Sequence, residues 1–228
     1  MRHPTKTDSL VRLKSLGLPI GAILDIGVLS ATPELIAAFS DHQHLLVEPI
    51  VEWNPAIATH YAGVDHEVVN AAASDAEGSV TLEVQSVIPG TPISHARMAD
   101  QIRAGCVARE VPMVTVDSLV AQRNLPEPFL LKIDVDGAEV RILRGARRTL
   151  PRCSVVIIEA GVLNFWERAE PLRDAGFELF DLVGLAYYDG RLCQFDAVFV
   201  NSGMMRDHRL GMFEQPFDFT KWVNYDPR

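Results

Sequence analysis

The chain has 228 residues, 48% of them hydrophobic and 22% charged, with a formal net charge of −9. That length suits one α/β domain with a sizeable core, and the composition excludes disorder. The acidic balance argues against nucleic acid as a partner, no apolar run approaches the roughly 20 residues that cross a bilayer, and three scattered cysteines make neither a disulfide framework nor a CxxC metal site. With no apolar segment after Met1 to Lys6, the expectation is a cytoplasmic protein with reduced, buried thiols.

In chain order, Asp8 to Leu16 predicts a helix stopped near Gly17 and Pro19, within an N-terminal helical extension over 1–19. The domain proper is expected over 20–201. Ile20 to Ile26 predicts a buried strand, and Thr32-Pro33-Glu34 a helix start with Leu35, Ile36 and Phe39 as its apolar face. His44 to Glu48 is a strand ended by Pro49, Glu52 to Tyr61 a helix, and Glu67 to Ala72 and Ser79 to Val84 two further strands. Between Gln85 and Pro112 the pattern fades around Pro89-Gly90-Thr91-Pro92, with a short helix expected over Met98 to Cys106. Weakly patterned segments of this length are often functional lids or substrate loops, so this one, with His95, is the expected substrate loop. Met113 to Val116 is a strand, Asp117 a cap for the helix Ser118 to Gln122, Phe129 to Asp134 a strand and Gly137 to Leu150 a helix. On that helix Arg141, Arg144, Arg147 and Arg148 form a solvated face. Ser154 to Ile158 is a strand, Val162 to Ala175 a helix, and Phe177 to Leu182 and Cys193 to Val200 are strands joined through Asp189-Gly190. The tail over 202–228 carries Phe213, Phe217, Phe219, Trp222 and Tyr225, which predicts packing on the domain, on a second subunit of a homo-oligomer, or over a substrate.

This alternation implies an α/β fold: a seven-stranded, mainly parallel sheet with one antiparallel strand at an edge and helices on both faces. Ligands of such sheets bind beyond the carboxyl ends of the strands. There the first strand offers Asp25 and Gly27, and the second Glu48, about 20 residues beyond Gly27, the spacing of an acid that accepts hydrogen bonds from a ribose diol. A dinucleotide needs further glycines in this turn to cradle its pyrophosphate, and the next glycine is Gly63, which disfavours a nucleotide-dependent oxidoreductase. The fourth strand end gathers Lys132, Asp134, Asp136 and Glu139. Asp136 and Glu139 fit a helix capping box, whereas Lys132 and Asp134 lie on one side of a hydrophobic strand, where charge is costly unless paired. The fifth strand ends in Glu159, at the same edge as Asp134.

The run Leu130 to Glu139, followed by Leu143-x-Gly145-Ala146, resembles the signature of FkbM-family methyltransferases. Val69 to Gly78, Val114 to Leu119, and Gly176 through Val200 resemble other stretches of the family, so the likeness covers Ile23 to Asn201. It implies a Rossmann-like class I methyltransferase fold, S-adenosylmethionine as cofactor, and O-methylation of a hydroxyl or carboxyl on a small molecule such as a sugar or polyketide. On that likeness Asp25, Gly27, Val28, Glu48, Pro49, Ala72 and Ser74 are the cofactor-binding candidates. Asp134, Glu159 and Asp136 are the catalytic ones, with oxygen ligands of the kind a magnesium ion accepts. The family usually has asparagine and glycine where this chain has Leu29 and Ala31, and glutamate in place of Asp136. The bulkier turn motivates a second reading, a degenerate, non-catalytic binding domain.

Overall fold

The computed structural model describes residues 4–87, 90–91, 93–211 and 216–224; Pro89, Pro92, Phe213 and Tyr225 lie outside the described residues. In chain order the elements are α1 (Lys6–Ser15), β1 (Ala22–Ile26), α2 (Pro33–Phe39), β2 (Gln43–Val47), α3 (Asn54–His60), β3 (His66–Val69), β4 (Ala72–Ala73), β5 (Gly78–Gln85), β6 (His95–Met98), β7 (Val107–Val114), α4 (Val116–Ala121), β8 (Phe129–Ile133), α5 (Glu139–Arg144), β9 (Cys153–Gly161), α6 (Phe165–Asp174), β10 (Phe177–Tyr188), β11 (Arg191–Asn201) and α7 (Ser202–Asp207).

The main sheet has seven strands in the order β10-β11-β9-β8-β1-β2-β3. Strands β9, β8, β1, β2 and β3 run parallel. β11 is antiparallel to both its neighbours, so the reversed strand sits just inside the edge strand β10. Their hairpin turns at Asp189 and Gly190, both with positive φ.

Strand alternation decides which residues share a face. In β8, Phe129, Leu131 and Ile133 pack into the core that also holds Ile142 of α5 and Leu172 of α6. The opposite face presents Ile23, Leu130, Val155, Ile157, Val198 and Val200 to Leu10 and Leu13 of α1 and Leu35 and Phe39 of α2. Continuing each of those rows by two residues toward the carboxyl end gives Asp25, Lys132, Glu159 and, in the antiparallel β11, Asp196. The polar site is thus the end of an apolar face, on the side that α1 and α2 cover.

A second, four-stranded sheet in the order β4-β7-β5-β6 is not visible as such in the sequence. The helix expected over Met98 to Cys106 is absent: β6 ends at Met98, and the chain turns through Gly105 into β7. Buried Glu83 in β5 ties this turn down through ion pairs to Arg97 and Arg103, 2.8 and 2.6 Å long. The helix expected to run to Leu150 stops at Arg144, because Gly145 must meet the main chain. A Cβ there would lie 2.0 Å from the carbonyl oxygen of Ser74.

Two capping expectations are also corrected. Ala138, not Asp136, occupies the N-cap of α5 and makes no side-chain cap bond. Thr115 caps α4, accepting from the Ser118 N–H, while the Asp117 carboxylate accepts from the N–H groups of Arg148 and Thr149. Of the arginine cluster, Arg144, Arg147 and Arg148 are exposed and Arg141 pairs with Asp75 at 2.9 Å. The cysteines are all free, but only Cys153 is buried; Cys193 is exposed. In the tail, Phe217, Phe219 and Trp222 are exposed, and the Phe217 ring lies 5.3 Å from that of Phe219 and 6.0 Å from that of Trp222 between centroids.

Candidate active site

A cleft of 430 Å³ opens at the carboxyl ends of β1, β2, β8 and β9. Its size falls in the range of roughly 300–1,000 Å³ usual for small-molecule sites. Gly27 forms its floor, with φ of +83°, and a Cβ there would lie 1.9 Å from the carbonyl oxygen of Asp134. Two strand ends therefore meet through a contact that only glycine permits.

Beneath that floor stands a buried ion pair. The Lys132 ammonium lies 3.0 Å from Asp25, 2.9 Å from the Gly27 carbonyl oxygen and 3.3 Å from Asp134. Burial disfavours the ammonium charge, yet Asp25 and Asp134 outweigh it and hold Lys132 above the ordinary lysine range. Asp25 has no exposed surface; it also accepts from the Tyr61 hydroxyl at 3.4 Å. It anchors the turn from behind the cleft wall rather than lining it.

Glu48 lines the cleft and is 5% exposed. Its two oxygens accept from the N–H groups of Leu29 and Ile50 at 2.8 and 2.9 Å. Burial pushes this carboxyl up to about 7, against the pull of those two donors. Each oxygen keeps a second lone pair for a ligand hydroxyl.

Leu29 shows how the turn accommodates its bulk. Its φ is +53°, a left-handed conformation that costs a branched residue about 1–2 kcal/mol, whereas asparagine tolerates it. Leu29→Asn is expected to recover about 1 kcal/mol of that strain and to raise the melting temperature by about 2–4 °C. A thermal melt that falls would mean that the leucine side chain stabilises more than its backbone costs.

Val28 and Pro49 also line the cleft. A smaller recess of 40 Å³ shares Gly27, Pro49, Ala96, Val135 and Asp136 with it and continues into an apolar slot of Ala71, Ala72 and Ala73, closed by Leu82 and Met98. Ser74 lines neither space; it is fully buried and donates to Asp75.

Asp134, Asp136 and Glu159 all face the main cleft. Asp136 accepts from the Ala96 N–H at 3.2 Å, which seats the β6 flap on the fourth strand end. Glu159 accepts a close hydrogen bond from the Gln194 side-chain amide. Burial, with repulsion from Asp134, Glu139 and Asp196, raises its carboxyl to about 7. Arg168, itself buried, donates to the Glu159 main-chain carbonyl at 2.6 Å and pairs with Glu139 at 2.7 Å, tying the end of β9 to the start of α5. From the Gln85 to Pro112 segment, Ile93 to Ala96 reach the main cleft, His95 with a ring nitrogen 2.9 Å from the Ser94 hydroxyl.

The sequence reading missed Lys6, Gln194 and Asp196. Lys6 lines the cleft and pairs with Asp196 at 3.0 Å, and Asp196 is the register partner of Glu159. A charge two residues before the apolar pair Val198 and Val200 was the available signal. Among the described residues, no three His, Cys, Asp or Glu side chains come together as a metal-holding group, and no helix is long and apolar enough to cross a membrane. The magnesium expectation gains no support from this arrangement.

Residues 28–185 match the family model described as the methyltransferase FkbM domain. No curated protein matches the chain. Among solved structures, the chain is similar to precorrin-6y C5,15-methyltransferase from Geobacter metallireducens, with 12% identity and a TM-score of 0.43 over 84% of this chain and 85% of that one. It is similar also to a TehB-like SAM-dependent methyltransferase from Corynebacterium glutamicum, with 15% identity and a TM-score of 0.40 over 85% and 87%. A third similar structure is Aeropyrum pernix fibrillarin in complex with natively bound S-adenosyl-L-methionine, with 14% identity and a TM-score of 0.42 over 79% and 67%.

Proposed function

The chain belongs to the FkbM family of methyltransferases, with the Rossmann-like class I fold, and from that premise we propose that it moves a methyl group from S-adenosylmethionine to an oxygen of a small acceptor. The observation that carries the reading is the single cleft that joins Gly27 and Glu48 at one end to Asp134 and Glu159 at the other. Glu48 accepts from the ribose hydroxyls. The slot of Ala71 to Ala73 beside Pro49 takes the flat adenine ring, and the turn of Gly27 to Leu29 follows the methionine part. The absence of a glycine-rich cradle suits a ligand without a pyrophosphate, and the surplus of carboxylates suits a sulfonium cation.

When bound, S-adenosylmethionine supplies an electrophilic methyl. In the transfer, the acceptor oxygen bonds to the methyl carbon as the sulfur–carbon bond breaks, and the acceptor proton must leave. Glu159 takes that proton, because burial and neighbouring acids place its carboxyl near 7, where a base is both available and strong enough. Asp134, held by Lys132, orients the acceptor hydroxyl in line. Asp136 fixes the flap that borders the acceptor end. The acceptor itself is a sugar, polyketide or related metabolite.

Calorimetry with S-adenosylmethionine tests the reading and separates it from a dead binding scaffold. Wild-type protein is expected to bind, and Glu48→Ala to weaken binding by about 1–3 kcal/mol, the worth of hydrogen bonds to a charged group. An unchanged affinity in a folded Glu48→Ala protein would remove Glu48 from the cofactor site, and no binding by the wild type would leave the scaffold reading.

A further inference from the structure

Lys6 lies outside the matched segment, on the first turn of α1, yet its ammonium reaches the acceptor end of the cleft. Several interactions place it there. Thr5 caps α1 by accepting from the Asp8 N–H. The Pro4 carbonyl oxygen accepts from the Gly184 N–H of β10 at 3.0 Å. Leu10 and Leu13 lock the helix into the core under β9 and β11. The side chains of Lys6 and Asp196 are only 12% and 14% exposed, so their charges are poorly screened.

The charges around the cleft are distributed unevenly. Among the described residues its lining includes Glu34, Glu48, Asp134, Asp136 and Glu159, but only two lysines or arginines, Lys6 and Lys132. Each cation is backed by an acid, Lys132 by Asp25 and Lys6 by Asp196. Lys132 is sealed beneath the Gly27 turn. Lys6 is therefore the cation closest to hand for an incoming acceptor, held by Asp196, the residue of the neighbouring strand that is paired in register with Glu159. Acids alone at this end would draw in amines; a lysine among them opposes a cationic acceptor and can donate to an oxygen.

We propose that Lys6 is a specificity-determining residue of the acceptor end, which turns the site against cationic amine acceptors and toward uncharged acceptors that carry oxygen. The proposal rests on the methyltransferase reading above and adds to it the choice of oxygen over nitrogen.

The test needs no knowledge of the acceptor. Sinefungin carries a primary ammonium group where adenosylmethionine carries its methyl; S-adenosylhomocysteine carries neither. The ratio of their affinities, measured by calorimetry on the full chain, reports the field at the methyl position. Lys6→Met exposes Asp196 and is expected to favour sinefungin by about tenfold more than the wild type does. Asp196→Asn leaves the Lys6 charge unopposed and is expected to shift the ratio the other way. Lys6→Arg keeps the wild-type ratio. A merely structural latch would move Lys6→Met and Asp196→Asn in the same direction, and that result, or no shift in either, overturns the proposal. Should the wild type bind neither ligand, the methyltransferase reading fails first and this inference falls with it.

Discussion

Gly27→Ala is expected to cost about 3 kcal/mol or more of folding stability and to abolish measurable binding of S-adenosylmethionine. Two effects add. The residue sits at φ +83°, where an L side chain is strained by about 1–3 kcal/mol. Its new methyl would also meet the Asp134 carbonyl oxygen at 1.9 Å and the Val135 side chain at 2.9 Å. Neither neighbour can yield cheaply. The Asp134 N–H donates to the Ile26 carbonyl, and Lys132 grips both the Gly27 carbonyl and the Asp134 carboxylate. Relief therefore requires prising β1 from β8 at the point where the proposed cofactor and acceptor sites meet. Urea denaturation and calorimetry would measure the two losses. A variant with wild-type midpoint and affinity would show that the two strand ends separate freely.

Much of this geometry was legible before the structure. Apolar runs alternating with helical patterns announced the sheet, and Asp189-Gly190 with no intervening helix announced the antiparallel hairpin. Asp134 and Lys132 stood out because charge inside a buried strand demands a partner. What stayed hidden depends on contacts distant in sequence. Asp25 is separated from Lys132 by most of the domain, so its role beneath the floor emerged only with the register of β1 on β8. The second sheet escaped notice because β7 carries exposed Val107 and a mid-strand Pro112, which blur the alternation that marks a strand. The capping box at Asp136 and Glu139 failed for a tertiary reason: Glu139 is drawn inward to Arg168 and Asp136 to the Ala96 N–H. Lys6 had no local signal, since a lysine at a helix start ordinarily faces solvent.

Glu159→Gln is expected to lower the rate of methyl transfer by about 10²- to 10⁴-fold, the usual worth of a positioned base, with affinity for S-adenosylmethionine kept. The pH dependence gives the sharper signature. A base must be deprotonated to act, and the Glu159 carboxyl is raised to about 7 by burial and by Asp134, Glu139 and Asp196. The wild-type rate should therefore climb with pH through about 7 and level off above it, and the Gln variant should lose that rising limb. Stability moves the other way. A carboxyl whose pKa is higher folded than unfolded penalises the folded state as pH rises from about 4.5 to about 7, and the penalty persists above that range. A neutral glutamine of the same shape escapes it. Glu159→Gln should thus be at least as stable as the wild type at pH 8, so its lost activity could not be blamed on unfolding. If the variant kept most of its rate and its rising limb, the proton would be leaving by another route. Asp134, in the same cleft and 3.3 Å from Lys132, would then be the group to replace next.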